Sequence, residues 1–522
     1  MVQFSRRGLL VGTASLFVPN LAFAQVSPVR QSITSPNFRA QTLVSFAVAI
    51  NAMLALPPSN PHNWYRLAMI HVLDCPHGNW WFLPWHRGYL AMFENLVRKY
   101  SGDQDFAMPY WDWTASPQIP ASMFEGVLSP TAPEFLENQQ AFVDGFGPQV
   151  VSWLSALDAG RKASLEERFG TAEAGPIANL IASSLPDSRT AARGLTAVSP
   201  DLDAMTKEEV KIEKVRLAIK PDKPEEYSFP EFASSATASH HESGIHQPLE
   251  AGPHDNVHGA IGGAMGQFMS PVDPIFCMHH GNLDRIWDIW TRRQQALNNP
   301  TLPALAAWDD EPFLFFMDDN GMALDKKASV YSKLSGGVSY EAGSAEDLAL
   351  PVQVATLAVQ SLSFEVAGLV PTNFRTFREL GANVTLPADN LLAARQPFES
   401  RSEPQLQLAA NLAAEITVTA PSDAENTRVM VFVNCPYLSR HTPPSDPHYV
   451  GTITFFGTNH GKHHSKDHTI TYVLPLANAI KRIASTGIAI EKQMRLQFMA
   501  VDKEGSVKEL DGSLVNVKIK AT

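Results

Sequence analysis

The spacing of apolar and polar positions divides the chain into a helical first part and a strand-rich end. Over residues 85–100, apolar side chains recur at Leu90, Phe93, Val97 and Tyr100, the period of a buried helix face. Arg98 and Lys99 stand at its C-terminal end, where cations suit the helix dipole. Residues 64–73 form another helical run with Leu67, Ile70 and His71 on one side, and His86 lies one turn before Leu90 on the inward stripe. These two helices bracket a loop carrying Cys75 and His77. A second pair repeats the arrangement. His254 and His258, four apart, share a helix face. Asp273 and Pro274 begin a further helix with a capping carboxylate and an early proline, and it runs through His280, Leu283, Ile286, Trp287 and Trp290. Two facing pairs predict a mainly α domain with a four-helix bundle, a core in which metal sites are commonly built.

Beyond about residue 340 the character changes. Segments 362–366, 415–418, 428–433, 452–456 and 494–498 read as strands separated by turn residues, which predicts a C-terminal β-sandwich over 401–522. Pro351, Pro371, Pro387 and Pro397 punctuate 346–400, which reads as a linker. The N-terminus runs Ser5-Arg6-Arg7-Gly8-Leu9-Leu10, then apolar to Val18, then Leu21-Ala22-Phe23-Ala24. Twin arginines, a short apolar stretch and small residues at Ala22 and Ala24 predict a Tat-type export signal over 1–24. The expected location is therefore periplasmic or secreted, and the helical domain is expected over 25–345.

A net charge of −12 gives no general attraction to nucleic acid or anionic membrane, so small neutral or cationic ligands are the expected partners. Three cysteines do not make a disulfide framework. Cys277, inside the apolar run 274–278, and Cys435 read as buried inert thiols; Cys75 needs a separate account.

That account begins with six histidines: His71, His77 and His86, then His254, His258 and His280. Each triplet has spacing that can put three imidazoles on one metal ion. Imidazole suits copper, zinc, iron and nickel, and a site without obligatory carboxylates favours copper or zinc. Two coppers about 3.5–4 Å apart, the general spacing of two-metal sites, would bind and reduce dioxygen without an organic cofactor.

The flanks of these histidines carry a resemblance. Cys75-Pro76-His77-Gly78-Asn79-Trp80-Trp81-Phe82-Leu83-Pro84-Trp85-His86-Arg87 resembles the first copper-binding signature of tyrosinases and polyphenol oxidases, and the stretch from Ser270 to Trp287 resembles the second. The resemblance implies a type-3 centre of two copper ions, one held by His71, His77 and His86 and the other by His254, His258 and His280. It selects His280 over His279, because the second member of the family's histidine pair is the ligand. It also implies a thioether between Cys75 and His77, which would brace a ligand that sits on a loop. The implied reaction is oxidation of o-diphenols to o-quinones with dioxygen reduced to water. Hydroxylating a monophenol requires the phenol to lose its proton first. The family assigns this to a water held by a glutamate, matched here by Glu250, and by an asparagine after the first ligand of the second copper. Asp255 stands at the asparagine's position, so strong diphenol oxidation and weaker monophenol hydroxylation are expected.

Gly259 is expected to leave room at the mouth, and Phe268 resembles the aromatic gate over the first-copper side of plant-type enzymes. Asp284, one turn beyond His280, is either that ligand's partner or a helix-surface ion pair. His62, His240, His241 and His246 have no family counterpart and read as solvated or locally hydrogen-bonded. The segments 429–436 and 449–456 resemble the C-terminal covering domain of polyphenol oxidases. This implies a latent proenzyme plugged by one side chain, Phe455 or Phe456, and opened by a protease acting near Arg395 and Arg401. The tract 460–468, with His460, His463, His464 and His468, reads as a solvated hairpin loop, with transient copper loading as the alternative. The alternative function is a haemocyanin-like dioxygen carrier with no turnover; a single chain with an export signal favours the enzyme.

Overall fold

In a computed structural model, the described residues are 28–219, 232–334, 337–350, 412–456, 469–487, 493–509 and 512–521, with short strands between 362 and 385 described by backbone alone. The export signal, the proposed cleavage sites at Arg395 and Arg401, and the tract 460–468 lie outside them. No helix among the described residues is long and apolar enough to cross a membrane.

The helices that matter for the site are α1 (Trp64–Asp74), α2 (Phe82–Ser101), α3 (Ala204–Glu209), α4 (Asp255–Ile261) and α5 (Ile275–Leu297). Asn63 caps α1 by accepting from the Tyr65 amide, and every residue of α1 is buried. That helix therefore runs through the core rather than over it. The α2 helix ends at Gly102, whose φ of 76° supplies the left-handed turn that closes it after Arg98 and Lys99. Asp273 accepts from the Ile275 amide at 3.0 Å, as the capping reading expects, and its other oxygen takes Arg193 Nε at 2.7 Å. Just before α4, Glu250–His254 forms a wide π-type turn containing Pro253; such turns are frequent at functional sites. Trp64, Trp81, Trp85, Trp287 and Trp290 are all fully buried in one continuous core. Each such ring contributes about 1.5–3 kcal/mol by leaving water.

The C-terminal part has two sheets. One orders β3 (Tyr449–Thr454), β2 (Arg428–Val433) and β5 (Leu496–Val501), all antiparallel. The other orders a short strand from the helical part, Ile245–His246, then β4 (Thr469–Pro475), β1 (Leu412–Thr419), β6 (Ser513–Ala521) and Leu362–Glu365. Ile416, Val418 and Val517 of one sheet share a core with Val429, Val431 and Ile453 of the other, so the sheets form a sandwich. The strand Ile245–His246 pairs parallel to β4 and ties this sandwich to the helical part.

Candidate metal centre

The helices bring all six histidines to one place. His71 lies on α1, His77 on the following loop, His86 on α2, His254 and His258 on the turn and first part of α4, and His280 on α5. The rings of His71, His77 and His86 lie 5.5–5.8 Å apart. Those of His254, His258 and His280 lie 4.6–5.4 Å apart. His77 lies 5.5 Å from His254, and His86 stacks on His280 at 4.0 Å, so the two clusters face each other. Phe276 packs against His71, His86, His258 and His280 and forms an apolar floor.

The imidazoles are held from behind. Nδ1 donates to the carbonyl of Phe268 from His71, of Phe82 from His86 and of Met265 from His258, each at 2.7 Å. His254 Nδ1 donates to Asp255 Oδ1 at 2.8 Å. A carbonyl or carboxylate can only accept, so Nδ1 carries the proton and Nε2 keeps its lone pair. Burial pushes His86 and His258 down to about 3, which keeps them neutral and competent as ligands. Nε2 of His71 and of His254 is buried without a hydrogen-bond partner. His258 and His280 bring their Nε2 atoms to 3.2 Å, close to the roughly 3.3 Å between two nitrogens each about 2.0 Å from one tetrahedrally bound ion. The donor set therefore fits metal ions, and both clusters could hold one. Buried imidazoles with bare lone pairs would otherwise be costly to keep.

His279 is buried with neither ring nitrogen hydrogen-bonded, 5.6 Å from His254 and 4.9 Å from His258. Cys75 Sγ lies 3.9 Å from both ring nitrogens of His77 and 3.3 Å from His86 Nε2. Glu250 is fully buried rather than a surface carboxylate. Its Oε1 accepts from the Gly78 amide and its Oε2 from Ser234 Oγ, each at 2.8 Å. Burial raises Glu250 to about 7, with His246 opposing and Asp255 adding to the shift. Asp255 divides its oxygens between two imidazoles, His254 Nδ1 and His246 Nδ1 at 2.9 Å.

Several expectations change. His62, His240, His241 and His246 are all buried rather than solvated. His62 bonds the Tyr100 hydroxyl and the Asp318 carbonyl, and His241 meets Ser164. His240 sits between Asp74 at 3.2 Å and Glu311 at 2.6 Å. Asp284 is neither a partner of His280 nor a surface pair: its oxygens take Arg87, Arg30 and Tyr340 inside the core. The space beside Gly259 is filled, since a Cβ there would lie 2.6 Å from the Thr454 methyl.

Of the two plug candidates, Phe455 joins the sandwich core, whereas Phe456 stacks on His258 at 4.1 Å and touches His77 at 5.3 Å and His254 at 5.5 Å. The Phe268 ring lies 5.7 Å from His71, 5.4 Å from His77 and 6.0 Å from Phe456. Sequence reasoning missed what holds the sandwich on the helices. Glu209 on α3 accepts from Tyr449 Oη at 2.8 Å and from the Thr452 amide at 3.1 Å. Asn256 bonds the Thr452 carbonyl and Thr454 Oγ1. Spacing along the chain holds no signal for such long-range pairs.

Fold and site together define a helical metal-binding domain with two facing imidazole clusters, covered by a β-sandwich. Residues 58–293 match the common central domain of tyrosinase. A tyrosinase from Hahella sp. (strain CCB-MM4), HcTyr1, is 25% identical over 460 residues, covering 85% of this chain and 83% of that protein. The tyrosinase of Streptomyces glaucescens is 30% identical over 218 residues, 41% of this chain and 62% of its own. Among solved structures, a latent aurone synthase (polyphenol oxidase) superposes with a TM-score of 0.58 at 19% identity, covering 94% of this chain and 88% of that one. Latent apple tyrosinase gives 0.56 at 17% identity, covering 95% and 97%. Residues 58–293 thus carry the central domain common to tyrosinases, a family whose members use a type-3 copper centre.

Proposed function

We propose that this chain is a latent, exported phenol oxidase that holds two copper ions and oxidises o-diphenols to o-quinones. His71, His77 and His86 would hold one copper, and His254, His258 and His280 the other. The observation that carries the reading is the facing arrangement of six imidazoles, four of them anchored through Nδ1, with Phe456 stacked where a phenol ring would lie. Bound copper supplies dioxygen binding and electron transfer; two o-diphenols yield two o-quinones while one dioxygen becomes two waters. The chain's residues arrange the rest. The Nδ1 anchors aim the ligands, Phe276 and Phe82 exclude water below and beside them, and Phe268 offers a ring wall on the His71 side. Cys75 would brace His77 through a thioether. Glu250, raised to about 7, is the proton acceptor candidate for a monophenol. Asp255 is already bonded to two imidazoles, so monophenol hydroxylation is the weaker activity. Residues 401–522 would cover the helical domain 25–345 until a protease cuts within 346–400, and Phe456 would be the plug.

The test is copper reconstitution followed by paired assays on a monophenol and its o-diphenol, before and after linker cleavage. Diphenol turnover that rises on cleavage supports the reading. Equal turnover of both substrates without a lag would contradict the Asp255 argument, and copper-loaded protein that binds dioxygen without diphenol turnover would favour a carrier.

A further inference from the structure

His246 lies outside both ligand triplets, yet it is positioned between them. It is 3% exposed, and its Nδ1 donates to Asp255 Oδ2 at 2.9 Å. The other oxygen of Asp255 receives the Nδ1 proton of His254 at 2.8 Å. The far edge of the His246 ring rests on Gly78, the residue after His77: a Cβ there would stand 3.1 Å from His246 Cδ2. Gly78 has a φ of 69°, so the chain turns under the ring where a larger residue would be strained and crowded.

The seat of His246 comes from elsewhere in the chain. Ile245–His246 pairs parallel to β4, with Tyr472 opposite His246. The Tyr472 ring lies 5.2 Å from the imidazole, and its hydroxyl donates to the Thr454 carbonyl, two residues before Phe456. A carboxylate that orients a metal-ligating histidine fixes its tautomer and direction, and the carboxylate itself must be held. Asp255 is adjacent to His254 and buried completely, so its rotamer is set by the imidazole at its other end.

We infer that His246 is a positioning residue that acts through Asp255 to aim His254 Nε2 at the second metal position, and that the C-terminal sandwich, by pairing β4 with Ile245–His246, is a structural part of that position as well as its cover. The line runs from sandwich to metal: β4 seats His246, His246 orients Asp255, and Asp255 orients His254. This rests on the two-copper reading above. Linker cleavage that leaves the sandwich docked preserves the line, whereas loss of the sandwich breaks it.

The experiment is a copper competition titration against a chromophoric chelator on the full chain and its variants His246→Ala, His246→Gln and Tyr472→Ala, each with its melting temperature. Loss of a supporting partner typically weakens metal binding by about 10–100-fold. The expected result is that His246→Ala weakens one of two copper equivalents by that factor and leaves the other unchanged. His246→Gln, which keeps an N–H for Asp255, recovers most of the loss, and Tyr472→Ala weakens the same equivalent. Both equivalents unchanged in His246→Ala would overturn the inference while leaving the copper reading intact. Both weakened in parallel with a lower melting temperature, and no rescue by Gln, would reduce His246 to packing. Tyr472→Ala without effect would overturn the sandwich's part, and a wild-type chain that takes no copper would overturn the copper reading and this inference together.

Discussion

Glu209 offers a direct way to loosen the cover without touching the histidines. Its side chain is 1% exposed and sits on α3, facing β3. Oε1 accepts from Tyr449 Oη at 2.8 Å and the Thr452 amide at 3.1 Å, while Oε2 pairs with Lys214 Nζ at 3.1 Å. Glu209→Ala leaves the Thr452 amide without its acceptor, Tyr449 Oη with only Thr452 Oγ1 at 2.6 Å, and a buried ammonium without its carboxylate. Removing one partner of a buried pair costs about 3–5 kcal/mol. Lys214 also donates to the Val450 carbonyl at 2.5 Å and keeps that bond, so the low end, about 3 kcal/mol, is expected. Of the broken bonds, those to Tyr449 and the Thr452 amide join α3 to β3 while Lys214 stays on the helical side. Docking therefore loses two hydrogen bonds to a charged group at about 1.5 kcal/mol each, which shifts that equilibrium on the order of 100-fold toward the open form. The assay is o-diphenol turnover by the uncut, copper-loaded chain, with protease sensitivity of the 346–400 segment as the check on opening. Glu209→Ala should raise uncut turnover by one to two orders of magnitude toward that of cleaved protein. Glu209→Gln, which keeps an acceptor for Tyr449, should raise it less. A variant that melts at lower temperature but keeps wild-type uncut turnover would refute the idea that these bonds hold the cover closed.

The two adjacent phenylalanines should separate. Phe456→Ala should raise uncut turnover with little effect on the sandwich, whereas Phe455→Ala should destabilise the fold by about 3–5 kcal/mol and leave turnover per folded molecule unchanged; the reverse pattern would exchange their roles. Copper loading in air should make the chain two hydrogens lighter by intact mass through a Cys75–His77 link, and Cys75→Ser should abolish that change. Asp255→Asn should raise the ratio of monophenol to diphenol turnover; an unchanged ratio would remove Asp255 from the discrimination. Burial alone would lower His240, but Asp74 and Glu311 outweigh it and raise it to about 9. Since this is above the ordinary 6.5, the stability it contributes is complete below about pH 6.5 and fades as pH rises toward about 9. The melting temperature should fall across that window, and less steeply in Glu311→Gln; parallel curves would show that the pair is not responsible.

Much of the site was legible because its chemistry is written in local spacing. The run from Cys75 to Arg87 and the helix opening at Asp273 each place ligands by helical period and a loop, and α1, α2 and α5 lie within a few residues of the spans read from apolar periodicity. For the isolated histidines the solvated alternative fails for the opposite reason. His240 and His246 owe their burial to Asp74, Glu311 and Tyr472, partners distant in the chain. Asp284 likewise found Arg30, 254 residues away, instead of its helical neighbour.

By itself the sequence marked out two histidine triplets and, through the resemblance of their flanks, a class of chemistry, because such motifs are short and local. Only tertiary structure decided how those ligands are supported and covered. Phe455 and Phe456 are adjacent and chemically identical, yet one enters the sandwich core and the other stacks on His258. Both lie just past the end of β3, where the chain turns away from the strand, and which ring meets the histidines depends on how β3 docks on α3 and α4. The same docking fills the space beside Gly259 with Thr454 and, through β4, seats His246 behind Asp255. These contacts join residues separated by hundreds of positions, so their free energy resides in packing that no local pattern records.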